Sequence, residues 1–148
     1  MCHSNLRAVR GCRIALLVPL VILGGELATG ADLVPVSLSV DSASASQVRV
    51  STRITNRGEA AAGPFVVQFF YEDRTGRGGA TASVLFEARL VAGGLGPGET
   101  TWLQATLSDP PCGQFAVTVV ADAAGDVPES NEGNNSLSRT LVVPGCDD

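Results

Sequence analysis

The sequence predicts an all-β fold, a seven-stranded antiparallel β-sandwich, on three observations. Alternating apolar and polar runs recur every 10 to 18 residues. Seventeen glycines and eight prolines punctuate those runs, which suits many short strands better than a few long helices. Helix-period patterning is nearly absent and no internal repeat is present. At 148 residues one domain is the default, and 45% hydrophobic content is ordinary for a globular chain. Aromatics are only 5%, so the core must rest on Val, Leu, Ala and a few Phe.

Residues 1–31 are set apart from the fold. Arg7, Arg10 and Arg13 form a basic start, and Ile14 to Leu23 is an apolar run of 10 residues. Ala28-Thr29-Gly30 and Thr29-Gly30-Ala31 then place small residues where a signal peptidase needs them. The pattern is a Sec-type signal peptide, with cleavage after Gly30 or Ala31. An uncleaved anchor is the alternative, but a transmembrane helix needs roughly 20 apolar residues. Cys12 precedes the apolar run, whereas a lipoprotein cysteine would follow it. The expected organisation is therefore a signal peptide over 1–31 and one domain over 32–148. The product would be secreted, periplasmic or at the cell surface, with no membrane insertion after cleavage.

Each expected strand has its own pattern. Leu33 to Val40 alternates, and Pro35 within it marks an edge strand, because proline cannot donate to a ladder. Val48, Val50, Thr52 and Ile54 alternate with Arg49, Ser51, Arg53 and Thr55, giving one buried and one wet face. Asn56-Arg57-Gly58-Glu59 turns the chain. Phe65, Val67, Phe69 and Tyr71 share one face of the most apolar strand; Val66, Gln68 and Phe70 share the other. Glu72 to Ala80 is a polar, Gly-rich loop. Val84 to Val91 forms a strand with Glu87 and Arg89 expected outward. Gly93 to Gly98 is a tight turn. In Thr100 to Leu107, Leu103, Ala105 and Leu107 face in, which leaves Trp102 and Gln104 outside. Phe115 to Ala121 and Leu137 to Val143 complete the set. Two packed antiparallel sheets are the expected arrangement.

The last two strands should pair across the loop 122–136. Antiparallel partners have a constant sum of residue numbers. A sum of 258 aligns Phe115 with Val143, Val117 with Leu141 and Cys112 with Cys146. Removing residues 1–31 leaves those two cysteines, and an even pair in an exported domain reads as one disulfide. Two free thiols are the alternative.

The stretch Asp122-Ala-Ala-Gly-Asp126-Val-Pro-Glu129-Ser-Asn131-Glu132-Gly-Asn134-Asn135 resembles the signature of the CARDB family, the cell-adhesion-related domain found in bacteria. Thr52-Arg-Ile-Thr-Asn56-Arg-Gly58 is similar to that family's "V-T-N-x-G" strand end. Gly94-Leu-Gly-Pro-Gly-Glu99 is similar to its "L-x-x-G-E" turn, and Asp32-Leu33 to its opening. The resemblance spans about 32–143. It implies an immunoglobulin-like seven-stranded sandwich and a role in binding or adhesion, with a protein or polysaccharide at the cell surface as partner. Asn131, Asn134 and Asn135 belong to the motif; the cysteine pair does not.

Catalysis has little to work with. The only histidine is His3, within the signal peptide, and the chain has no lysine. Ser-His-Asp, Cys-His and Schiff-base systems are thereby excluded from 32–148, as is a Cys/His zinc site. The glycine-rich stretches match no phosphate-binding fingerprint. Seven arginines against fourteen acids give residues 32–148 a net charge of −7, which argues against nucleic acid and anionic membrane surfaces as partners, because both need positive charge.

Asp122, Asp126, Glu129 and Glu132 are the candidate metal ligands, since hard oxygens clustered in one loop suit calcium. Alternatively they cap backbone N–H groups and fix turns. Otherwise no cofactor is expected. Trp102 is the candidate binding residue, able to stack on a sugar ring or anchor a protein interface. Asn134-Asn135-Ser136 also forms a glycosylation sequon. The expected function is a non-catalytic adhesion or binding module; a structural envelope protein acting through sheet-edge pairing and a calcium-dependent module are the alternatives.

Overall fold

Alternation in the chain becomes seven strands in the computed structural model, which describes residues 30–73 and 82–144. They are β1 (Leu33–Ala43), β2 (Gln47–Asn56), β3 (Phe65–Asp73), β4 (Ser83–Val91), β5 (Thr100–Ser108), β6 (Gly113–Val120) and β7 (Ser136–Val143). A three-stranded sheet runs β1-β2-β5 and a four-stranded sheet runs β4-β3-β6-β7, all neighbours antiparallel. No helix among the described residues is long and apolar enough to cross a membrane.

The core lies between the two sheets. Val48, Val50, Thr52 and Ile54 of β2 are buried, as are Phe65, Val67 and Phe69 of β3 and Phe115, Val117 and Val119 of β6. A period of two puts each set on one face, so burying one member buries all. The few aromatics cluster: the Tyr71 and Phe115 rings meet edge-on at 6.4 Å, and Phe69 and Phe86 lie 6.1 Å apart. Thr52 is the one fully buried hydroxyl residue among the described residues, and its Oγ1 donates to the Ser37 carbonyl at 2.7 Å. Pro35 lies on an edge strand as expected, beside a register shift in the β1–β2 ladder.

Two expectations need correction. The β6–β7 ladder pairs Phe115 with Leu141 and Gly113 with Val143, so the sum is 256 rather than 258. The connecting loop decides this, because Ala121 N–H donates to the Asn135 carbonyl at 2.8 Å and starts the ladder there. A slip of two keeps every side chain on its face, so hydrophobic pattern alone does not detect it. Cys146 lies outside the described residues, and the 258 alignment of Cys112 with it does not carry over to this ladder.

The second correction concerns β4. Glu87 and Arg89 pair with Phe69 and Val67, whose side chains face the core, so they project to the inner side. β4 is an edge strand, and its inner side opens onto the seam with β5. There Glu87 Oε2 accepts a 2.8 Å hydrogen bond from Thr106 N–H, and its Oε1 meets Arg89 at 2.5 Å. An irregularity at Phe86 shifts the register and lets that ring turn to the core. The strand also departs from expectation at β3, which runs on through Glu72 and Asp73; the rest of the expected loop, 74–80, lies outside the described residues.

One end of the sandwich is organised by Asn56, the last residue of β2, whose side chain is fully buried. Its Oδ1 accepts from Asp32 N–H and Gly58 N–H, both at 3.0 Å. Its Nδ2 donates to the carbonyls of Ala60 (2.8 Å) and Leu95 (3.0 Å). One amide thus ties the entry to β1, the β2–β3 turn and the β4–β5 turn. Two glycines permit the close packing this requires. A Cβ on Gly58 would stand 2.0 Å from the Gly30 carbonyl oxygen, and one on Gly94 (φ +65°) 2.0 Å from that of Ala62. Replacing Asn56 by Ala takes the side-chain partner from two half-buried N–H groups and from the Ala60 carbonyl, while the Leu95 carbonyl keeps its bond from Ala62 N–H, so a denaturant melt should find a loss of about 2–4 kcal/mol. Asn56→Asp keeps both accepted bonds but sets a buried carboxylate oxygen against the Ala60 and Leu95 carbonyls, and should cost at least as much.

Candidate functional site

The β6–β7 loop carries most of the candidate residues, and it folds around its own carboxylates. Asp122 is buried at φ +51°, a conformation asparagine and aspartate tolerate best among non-glycine residues. Its Oδ1 accepts from Asp126 N–H at 2.9 Å and its Oδ2 from Val127 N–H at 3.0 Å. Val127 is thereby pinned into the core. Asp126 itself is exposed and contributes its backbone only.

Glu129 reaches across to the first strand. Its Oε1 accepts from Leu33 N–H at 2.6 Å, and its Oε2 from Asn135 Nδ2 at 2.8 Å. Glu132 accepts from Glu129 N–H at 3.1 Å and from Asn135 Nδ2 at 3.3 Å. Asn134 Nδ2 donates to Asp32 Oδ1 at 2.9 Å, and Asn131 Oδ1 accepts from Gly133 N–H at 2.9 Å. Ser130 N–H donates to the Ala31 carbonyl at 2.9 Å, beside a parallel bridge between Ala31 and Glu129. The motif is therefore a clasp that fastens the start of β1 to the last loop.

Whether this loop could hold an ion turns on its donor set. The carboxylates of Asp122, Glu129 and Glu132 each accept two protein N–H donors; Glu129 and Glu132 meet at the Asn135 side chain, while Asp122 is turned to the backbone of Asp126 and Val127. Among the described residues no group of three or more His, Cys, Asp and Glu could hold a metal. The amide oxygens of Asn134 and Asn135 are buried without a hydrogen-bond partner, but two neutral oxygens fall far short of the six to eight that calcium takes. The residues present do not fit a calcium centre.

Burial pushes the Glu129 carboxyl from 4.5 up to about 7. The bonds from Leu33 N–H and Asn135 oppose that rise, and the nearby charges of Glu132 and Asp122 add to it.

Trp102 is the other candidate, and it stands where the alternation of β5 puts it. It is 64% exposed on the outer face of the three-stranded sheet, opposite Arg53 of β2. The Arg53 guanidinium sits 5.4 Å from the indole centroid, a cation–π contact. A shallow cavity of about 420 Å³ is lined by Trp102, Leu103, Gln104, Ser51 and Arg89. Sequence reasoning identified Trp102 but missed Arg53, Arg89, Asn56 and Asp32 as its partners and those of the clasp. Asn56 did leave a signal: an amide at in-facing parity, two residues past Ile54.

The sequence profile of CARDB matches residues 30–139. The chain belongs to the CARDB family. A comparison with curated proteins finds no match. Among solved structures, the CARDB domain of a Pyrococcus furiosus protein, in complex with di-metal ions, superposes with a TM-score of 0.62 at 18% identity; the match covers 77% of this chain and 94% of that one. A domain named for a cell surface protein of Methanosarcina acetivorans gives 0.59 at 23% identity, over 78% and 93%. β-Glucosidase 3B of Thermotoga neapolitana gives 0.58 at 21% identity, over 76% of this chain but only 16% of the enzyme. At these identities the likeness is one of fold, and the enzyme shares one sandwich module with this CARDB domain.

Two outcomes follow from the clasp. Calcium at millimolar concentration should leave the melting temperature of the chain unmoved, whereas a ligand of the folded state would raise it. The Glu129 carboxyl binds its proton more tightly folded than unfolded, so its contribution to stability is lost as pH rises from about 4.5 to about 7. Melts of the wild type and Glu129→Gln across that window should diverge, the variant gaining relative stability toward neutral pH.

Proposed function

We propose that this CARDB domain is an exported, non-catalytic binding module of the cell envelope or secreted space. The observation that carries the reading is Trp102, a large exposed ring beside an arginine, while the carboxylates of Asp122, Glu129 and Glu132 in the β6–β7 loop are engaged within the fold. Family membership and the likeness to a domain of a cell surface protein support an extracellular setting. The absence of His and Lys from 32–148 supports a role without catalysis. No ion is assigned a part, because the loop carboxylates are engaged with the backbone. Sheet-edge pairing is disfavoured: β1 carries Pro35 and two register shifts, and the β5 edge is engaged at Thr106 by Glu87.

The reading includes signal cleavage and one disulfide, Cys112–Cys146. Cleavage after Gly30 is the better of the two expected positions. Ala31 is buried and its carbonyl accepts from Ser130 N–H, so a cut after Ala31 would remove both contacts. Mass spectrometry of the exported protein should therefore find Ala31 as the first residue and no free thiol. The purified chain should co-sediment with isolated bacterial envelopes. A chain that stays wholly in the supernatant would sink the binding role, and one retaining residues 1–30 would sink the export route.

A further inference from the structure

The outer face of the three-stranded sheet is built in rows. Arg53 lies opposite Trp102, Ser51 opposite Gln104, Arg49 opposite Thr106, and Thr55 opposite Thr100. Among the described residues the large exposed hydrophobics apart from Trp102 are Val84, Leu85, Leu90 and Val142, and all four lie on the other sheet. The Trp102 face thus has one aromatic platform surrounded by hydroxyls, an amide and guanidiniums. Tryptophan and arginine also anchor protein interfaces, but there the ring is packed in a desolvated pocket, and here it stands 64% exposed among polar side chains. A sugar needs a ring face to stack on and polar groups at its rim, which is what this face provides.

Charge narrows the ligand further. Residues 32–148 carry a net charge of −7, yet three of the five described arginines, Arg49, Arg53 and Arg89, lie on this face or at its rim, so positive charge is concentrated locally here. Arg89 is paired with Glu87, but among the described residues neither Arg49 nor Arg53 is ion-paired. The carboxylate of Asp41, at the β1 side of the face, accepts from Ser51 and Ser39 and not from either arginine. Arg49 and Arg53 are four residues apart along β2, about 13 Å for an extended strand. A polymer with carboxylates at regular intervals can meet both while one of its rings covers the indole.

We propose that this face binds an acidic polysaccharide, a polyuronate, with Trp102 as the stacking platform and Arg53 and Arg49 as carboxylate partners. The inference rests on the binding-module reading and deepens it.

Trp102 is the only tryptophan in the chain, so its fluorescence reports directly on this face. Titrating the full chain with soluble polygalacturonate should change that emission saturably, and added salt should weaken the response. Arg53→Gln should weaken apparent affinity by about tenfold or more, and Trp102→Ala should do the same in a calorimetric titration. Unchanged melting temperatures would show both variants folded, as expected for side chains at the surface. No response to polygalacturonate, or affinity indifferent to both substitutions, would overturn the proposal. So would a response to neutral dextran equal to that of the polyuronate. Envelope co-sedimentation that persists in Trp102→Ala would place the partner on another surface and leave the binding-module reading standing.

Discussion

One buried amide holds together everything that happens at the loop end of this sandwich. Asn56 uses all four of its hydrogen-bonding positions, two donating and two accepting, on four backbone groups from three separate segments. A buried amide that is fully satisfied adds directional bonds in a low-dielectric setting; one left partly satisfied costs more than an apolar side chain would. The consequence is a single permitted arrangement of the entry to β1 and the two turns beside it. Asp32 is then positioned by Asn56 and accepts from Asn134, so the network continues into the β6–β7 loop. The separate family landmarks around Asp32, Asn56, Gly94 and Glu129 are thus parts of one connected structure at one end of the fold.

The two long seams of the sandwich depend on a different device. At one, Glu87 of β4 accepts the edge N–H of Thr106 in β5. At the other, Arg139 of β7 donates to the Leu38 carbonyl of β1 at 3.1 Å. An acid satisfies a donor and a base satisfies an acceptor, each reaching from one sheet to the other. Edge strands carry unpaired backbone groups that invite a second chain. Engaging one such group per seam with a charged side chain blunts that tendency and also closes the sandwich on both sides.

Parity explains what was legible in the sequence and what was not. The seven strands, the buried faces of β2, β3 and β6, the edge position of Pro35 and the exposure of Trp102 all follow from a period of two, which is a local property. Glu87 was misplaced because polarity suggested solvent, whereas an edge strand can turn a charge inward to meet a neighbouring backbone. The register of β6 and β7 was off by two because both sums bring the same two faces together, each with Arg139 opposite a valine and the apolar residues otherwise paired. Only the Ala121–Asn135 bond, set by the turn at Asp122, distinguishes them. The loop residues were correctly singled out as a group. Their bonds to Leu33 and Ala31, roughly a hundred positions away in the chain, carry no local signature.

These constraints divide the molecule's polar groups into two kinds. At the clasp, the carboxylates of Asp122, Glu129 and Glu132 accept from backbone N–H groups and the amides of Asn134 and Asn135 donate to carboxylates, so removing one would loosen the fold. On the outer face of the three-stranded sheet, Arg49, Arg53, Gln104 and Trp102 bear on no other element of the core, and the strands beneath them are already fixed by buried Val48, Val50 and Ile54. Side chains on a rigid sheet whose contacts are not needed for folding can vary with the ligand at little cost in stability. Local motif density therefore marks the end of this protein that folding uses, and the recognition proposed above falls to the plainer strand pair whose positions parity alone had exposed.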